Sequence, residues 1–261
     1  MSDASFKLKK FLFHAVTRPA AWMMRSINAL IAATTRDTPI HDAAGFPWTP
    51  EIEAMHDAVL AEIEPLCERR SDVPLNADFV PSSKYYYEVS DWRQLTFQYA
   101  GVWIEEAFDS YPRCLEVFRS IPGLASAGIS ILAPRQTIAA HTHPYKGLLI
   151  FHFAIVVPRD AASCTIRVGK ETRSWSPGKV MVIDPTFNHE VHNDTDDVRI
   201  ILMGEFKRPD MPAVLRIFDY LYLGLLRFSP LGRNTIARMR REVIGFRRQM
   251  EPADRLEASK S

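Results

Sequence analysis

In the middle of this chain, apolar residues fall in short runs closed by turn residues. Residues 148–157 read Leu-Leu-Ile-Phe-His-Phe-Ala-Ile-Val-Val, apolar on both faces, which predicts a strand buried within a sheet. Residues 92–99 have the alternating character of a strand. Residues 127–132 predict a short strand stopped by Pro134. Residues 165–168 and 171–175 flank Gly169-Lys170, a two-residue hairpin turn with glycine first. Residues 179–184 and 198–205 complete the series. Many short strands with turns between them predict a mainly β core, a sandwich or barrel such as a jelly roll.

On either side the period becomes helical. In residues 47–66, Ile52, Met55, Ala58, Val59 and Ile63 recur at helical spacing, with Thr49 as N-cap and Pro50 at the first helical position. Residues 70–84 predict a polar loop, and residues 103–120 a helix ended by Ile121-Pro122-Gly123. The first 36 residues mix lysine and arginine with large apolar side chains and predict a helical arm broken near Pro19. That arm lacks the uninterrupted apolar core of a secretory signal, and Arg25 breaks its longest candidate for a membrane span. Past Pro209, residues 214–228 predict a dense apolar helix, followed by a tail rich in arginine. The division expected is a basic apolar arm over 1–45, a β domain over 46–209, and an apolar helix with a basic tail over 210–261. Basic apolar segments at both ends predict contact with an anionic membrane surface, against the plainer reading of two packed appendages.

Charge and cysteine usage narrow the function classes. The 261 residues hold 32 basic and 31 acidic side chains, a formal net charge of +1, which argues against bulk nucleic-acid binding. Cys67, Cys114 and Cys164 are widely spaced and odd in number, which suits a reducing compartment and no disulfide framework.

The candidate chemistry lies in residues 130–209. His141 and His189 stand beside β-rich segments with hairpins between them, so strand pairing can bring them together. Two histidines and a carboxylate on one face of Fe(II), leaving open positions, are the usual ligands of a non-haem iron oxygenase. Such enzymes also hold the far carboxylate of 2-oxoglutarate, for which arginine offers a planar two-pronged donor. Arg199 opens an otherwise apolar strand, where a cation is costly unless an anion meets it. His143 shares a side with His141 on an extended segment and is either a third ligand or a neighbour of a metal-bound water.

The ordered set His141-Thr-His-Pro144, His152 in Phe-His-Phe-Ala-Ile-Val-Val-Pro, Trp175-Ser-Pro-Gly-Lys-Val180, Phe187-Asn-His-Glu-Val191, and Arg199 ahead of Lys207-Arg-Pro209 resembles the aspartyl/asparaginyl β-hydroxylase family. That family includes hydroxylases of lipid acyl chains. Weaker similarity around Phe46-Pro-Trp48 and Ser120-Ile-Pro-Gly123 extends the match upstream. The resemblance implies a cupin-like double-stranded β-helix using Fe(II), 2-oxoglutarate and O2. It implies His141 and His189 as iron ligands, Arg199 on the distal carboxylate of 2-oxoglutarate, and His152 and Ser130 as further contacts to that co-substrate. Two departures stand out. The lipid hydroxylases carry aspartate where this chain has His143, and the peptide hydroxylase carries glycine. Ile150 occupies the place of an arginine that the peptide-modifying members use. Asp184 is a weaker candidate for the missing carboxylate, otherwise a turn residue before Pro185; His192 and Glu190 read as surface or supporting groups.

The activity this implies is hydroxylation of an unactivated C–H bond, with a membrane lipid acyl chain as first substrate. An aspartyl or asparaginyl side chain of a peptide or protein is the second. A non-catalytic metal- or ligand-binding barrel is the third reading. The co-substrate and ferrous iron, with no signal segment read, point to the cytoplasm, at the inner face of the membrane.

Overall fold

The computed structural model of the chain describes residues 21–79 and 91–250. Its eleven named strands are β1 (Ile40–His41), β2 (Trp92–Tyr99), β3 (Val102–Trp103), β4 (Leu124–Leu132), β5 (Gln136–His141), β6 (Leu148–Val156), β7 (Cys164–Val168), β8 (Glu171–Ser174), β9 (Val180–Ile183), β10 (His189–Asn193) and β11 (Arg199–Lys207). They pair antiparallel in two sheets, ordered β1-β9-β6-β11-β4-β2-β3 and β5-β10-β7-β8. The sheets face each other, since one apolar cluster joins Leu132, Ile150 and Ile201 of the first to Ile138, Ile166 and Val191 of the second. This is a mainly β, cupin-like double-stranded β-helix with helices at both ends.

The strand period of two explains how the larger sheet serves two interiors. On β6, Leu149, Phe151, Phe153 and Ile155 point to one side and join the largest core cluster. Ile150 and Ala154 point to the other side, between the sheets, which is why the whole run is apolar. The outer side is covered by helices: Ile52 of Thr49–Ala54, Val59 and Ile63 of His56–Ile63, Phe118 of Pro112–Ser120, and Met239, Val243 and Phe246 of Pro230–Met250 all enter that cluster. Burying one such side chain contributes about 1.5–3 kcal/mol.

The helices depart from expectation in four places. The helix over 47–66 is two helices meeting at Met55, followed by a 3-10 turn, Glu64–Cys67. Thr49 does not cap; Trp48 holds the N-cap position, and the Thr49 hydroxyl donates to Ala43 O instead. The helix over 103–120 begins only at Pro112, because Ala100-Gly101, both at positive φ, turn β2 into β3. The basic tail is a 21-residue helix, Pro230–Met250, whose residues at spacings of four and three reach the core while most of its arginines stay outside. Residues 70–84 contain a 3-10 turn (Arg70–Asp72) and a short helix (Asn76–Phe79) before leaving the described residues. Of the amino-terminal arm, residues 21–34 are helical, and the expected break at Pro19 lies outside the described residues. Gly169 takes φ 60°, as its turn requires.

Asp184 is not available as a metal ligand. It is fully buried and accepts from Lys146 Nζ at 2.8 Å, from the Arg208 guanidinium, and from Thr186 N at 3.0 Å. Arg208 also donates to Arg36 O at 2.9 Å, and Lys146 pairs with Asp37 at 2.7 Å, so the cluster ties the end of the amino-terminal helix to the sheet. Removing the acid takes from buried Arg208 its only close carboxylate among the described residues and leaves Lys146 with Asp37 as its one carboxylate. Asp184→Ala is expected to lose about 3–5 kcal/mol of unfolding free energy, read by urea denaturation; a loss below about 1 kcal/mol, the scale of an exposed ion pair, would contradict this assignment.

Candidate metal centre

The site is built where β5 meets β10. His189 pairs with His141, but Val191 pairs with Ile138, so three residue steps on β5 match two on β10. The extra residue is a β-bulge, and it reverses the alternation of the strand. Without it Ala140 would stand opposite His189; with it His141 does, and His143 follows on the same side.

The three rings converge. Centroids of His141 and His189 are 4.1 Å apart, those of His143 and His189 5.5 Å, and those of His141 and His143 5.7 Å. One nitrogen of each lies within 4.8 Å of the others. The tautomers follow from the acceptors. His141 Nδ1 faces Ala139 O at 2.8 Å, and His189 Nδ1 faces Phe187 O at 2.9 Å. A carbonyl only accepts, so each Nδ1 carries the proton and each Nε2 the lone pair. His143 Nδ1 donates in the same way to Glu205 Oε1 at 2.9 Å. Three imidazoles with their Nδ1 atoms anchored by protein acceptors are a donor set suited to a divalent transition metal. Burial lowers the pKa of His141 to about 4 and of His189 to about 3, so neither needs to shed a proton near neutrality to bind one.

Arg199 lies in the same cavity, about 770 Å³ in volume, with the three histidines, His152 and Ser130. It is 1% exposed and has no carboxylate partner among the described residues. Its Nη2 donates to Ser130 Oγ at 3.1 Å, and its guanidinium sits 4.8 Å from the Trp175 ring centroid. Ser130 Oγ accepts a second bond from Trp92 Nε1 at 2.9 Å, which leaves its own proton for another partner. Burial lowers the Arg199 pKa to about 10, still a cation at neutral pH. Around it, Arg199 Nε, His152 Nδ1 and Trp175 Nε1 are buried without a hydrogen-bond partner among the described residues. Burial, then the nearby Arg199 charge, push the His152 pKa well down. A buried cation beside unsatisfied donors is costly unless an anion completes it.

Glu205 and Trp92 carry parts of this site without having been singled out in the sequence, and Trp175 stood there only as the first residue of a motif. The signal for Glu205 was present: Arg199, Ile201, Met203 and Glu205 all line the cavity, the alternate positions of one strand. Ile150, where the resemblance implies an arginine in the peptide-modifying members, lines the cavity and is buried. Glu190 and His192 lie outside, where Glu190 binds Arg167 at 2.8 Å.

These features define a double-stranded β-helix protein with an imidazole cluster fit for a metal and a buried arginine fit for an acid. The chain belongs to the aspartyl/asparaginyl β-hydroxylase family, whose model matches residues 53–209. It is 31% identical over 210 residues to an ornithine lipid ester-linked acyl 2-hydroxylase of Rhizobium tropici, covering 80% of this chain and 74% of that one. It is 33% identical over 138 residues to the aspartyl/asparaginyl beta-hydroxylase of Mus musculus, covering 51% of this chain but only 18% of that protein. Among solved structures, a Cupin 2 conserved barrel domain protein from Salinispora arenicola matches 53% of this chain and 92% of its own at 12% identity, with a TM-score of 0.31.

The neutral histidines set a pH dependence of stability. His41, His141 and His189 have folded values of about 4, 4 and 3, against 6.5 for the free side chain. Below 6.5 the unfolded chain takes up protons that the folded one resists, so stability falls as pH falls through that window. The urea midpoint of metal-free protein is expected to drop steadily from pH 7 to pH 4; a flat profile would show that these imidazoles are not held neutral.

Proposed function

We propose that this protein is an Fe(II)- and 2-oxoglutarate-dependent dioxygenase that hydroxylates an unactivated C–H bond of a membrane lipid acyl chain. The observation that carries the reading is the pairing, in one cavity, of three convergent imidazoles with a buried arginine that has no carboxylate partner among the described residues. Ferrous iron at His141, His143 and His189 would supply the activation of O2 that such a bond requires. The overall change balances as R–H, O2 and 2-oxoglutarate giving R–OH, succinate and CO2.

The chain's own residues bind, orient and exclude water. Arg199, fixed by Ser130 and stacked on Trp175, takes the distal carboxylate of the co-substrate by a charge-assisted pair of bonds. Ser130 has a proton to donate, and His152 offers a further contact. Ala139, Phe187 and Glu205 hold the three imidazoles in fixed orientations through their Nδ1 atoms. Aliphatic walls from Ile138, Ile150, Ile166, Val191 and Ile201 keep the reacting space dry and suit a methylene chain.

The lipid substrate draws its support from those walls and from the Rhizobium relative, which is named for an acyl 2-hydroxylation. Hydroxylation of an aspartyl or asparaginyl side chain is the second reading, favoured by a ligand cluster that holds no carboxylate among the described residues. Free Cys67, Cys114 and Cys164 and the need for 2-oxoglutarate support work on the cytoplasmic side, at the inner leaflet.

The test is oxygen-dependent succinate release by iron-loaded protein, followed with an acyl lipid and with an aspartyl peptide. Hydroxylated lipid with stoichiometric succinate supports the first reading, hydroxylated peptide the second, and metal binding without succinate a non-catalytic barrel. Two variants should separate the roles. Arg199→Ala is expected to raise the 2-oxoglutarate concentration needed for half-maximal rate by about a hundredfold, the scale of a lost buried charge pair, with metal affinity little changed. His143→Ala should do the reverse. Equal losses of both properties in Arg199→Ala would contradict the assignment.

A further inference from the structure

Two helices on either side of the β domain in sequence share an inner seat and expose apolar outer faces. The helix over residues 21–34 packs Met24, Ile27 and Ile31 onto a small cluster around Tyr145, Leu148 and Met211. The helix Ile217–Phe228 packs Phe218, Tyr222 and Leu223 onto the same cluster, with Tyr145 stacked on Tyr222 and donating to Asp219. Their outer residues are large, apolar and open to solvent: Trp22, Met23 and Leu30 on one, Leu221, Leu225 and Phe228 on the other, Trp22 and Phe228 at 69% and 67% exposure. A surface helix ordinarily shows polar groups to water, and an apolar patch of this extent marks an interaction site.

The rim is basic. Arg25 is exposed on the first helix, and Arg216 and Arg233 are exposed on either side of the second. Lys207 Nζ lies 4.4 Å from the Tyr220 ring centroid, and the Arg227 guanidinium 5.1 Å from that of Phe228. The only acid on Ile217–Phe228 is Asp219, which is buried. From residue 211 to 233 the three arginines, Arg216, Arg227 and Arg233, are exposed, and the one acid, Asp219, is buried. A second copy of the chain on this face would oppose arginine to arginine, whereas an anionic lipid headgroup complements it. No helix among the described residues is long and apolar enough to cross a membrane.

We infer that this two-helix face docks in the plane of an anionic phospholipid bilayer, apolar residues in the acyl boundary and arginines among the headgroups. The position of the cavity gives the docking a use. Tyr222 and Leu226, on the inner side of the helix whose outer side meets the lipid, line the cavity that holds the histidines. An acyl chain passes from the leaflet around this one helix into the barrel. The delivery of the chain rests on the lipid reading of the site; the docking does not.

The test uses full-length protein and flotation with phosphatidylcholine vesicles, with and without phosphatidylglycerol. Wild type is expected to float with the anionic vesicles, less at high salt, and not with the neutral ones. Leu221→Glu combined with Leu225→Glu should weaken flotation by about tenfold or more, while melting temperature and substrate-free succinate formation stay unchanged. Flotation of the double variant equal to wild type overturns the proposal. So does wild type that ignores anionic vesicles, including protein that light scattering shows to be a dimer. Vesicle binding with no hydroxylated lipid upholds the docking face and removes the lipid substrate and its delivery.

Discussion

The site depends on one extra residue in β5. Antiparallel pairing with β10 sets the two strands side by side, but pairing alone would turn His141 away from His189. The bulge between the Ile138–Val191 and His141–His189 pairs reverses the side-chain order at the point where the chain needs two imidazoles inward. Everything downstream inherits that reversal: His143 comes into range two residues later, and Glu205 on β11 meets it. The buried larger sheet behind, with β6 packed on both faces, gives the histidines a rigid wall to be held against.

The cavity is an exception to how polar groups are buried, and the exception is informative. Asp184, Lys146 and Arg208 show the ordinary solution, in which buried charges meet one another and every oxygen is used. Arg199 shows the opposite. Among the described residues it has a serine and an aromatic ring but no carboxylate, and unpartnered polar nitrogens lie nearby. Folding carries that cost, and binding of an anion removes it. A chain that pairs one set of buried charges completely and leaves another cation waiting, within the same barrel, is arranged for a ligand.

Much of the fold was legible because strand patterning is local. The period-two runs and the Gly169 turn placed most of the core strands, and the motif order from His141 to Pro209 pointed to the barrel and to the histidines. What was hidden is set by tertiary contact. The bulge has no signature in Ala139-Ala140. The arginines of 233–248 read as a basic tail for a membrane surface because Met239, Val243 and Phe246 are sparse among them, yet these three dock a full helix on the core. Asp184 looked like a turn residue because its partners, Lys146 and Arg208, lie 38 and 24 positions away. Glu205 ended a predicted strand, and its meaning appears only when β11 is read by alternate positions from Arg199.

The most direct measurement is an anaerobic titration of iron-loaded protein with 2-oxoglutarate, followed by the charge-transfer absorption that a chelated keto acid gives on ferrous iron. The account predicts a band that grows to saturation at one equivalent of site, and that is absent when His189 is replaced by alanine. Iron retained with no band at saturating 2-oxoglutarate, or a band that survives in His189→Ala, would contradict it.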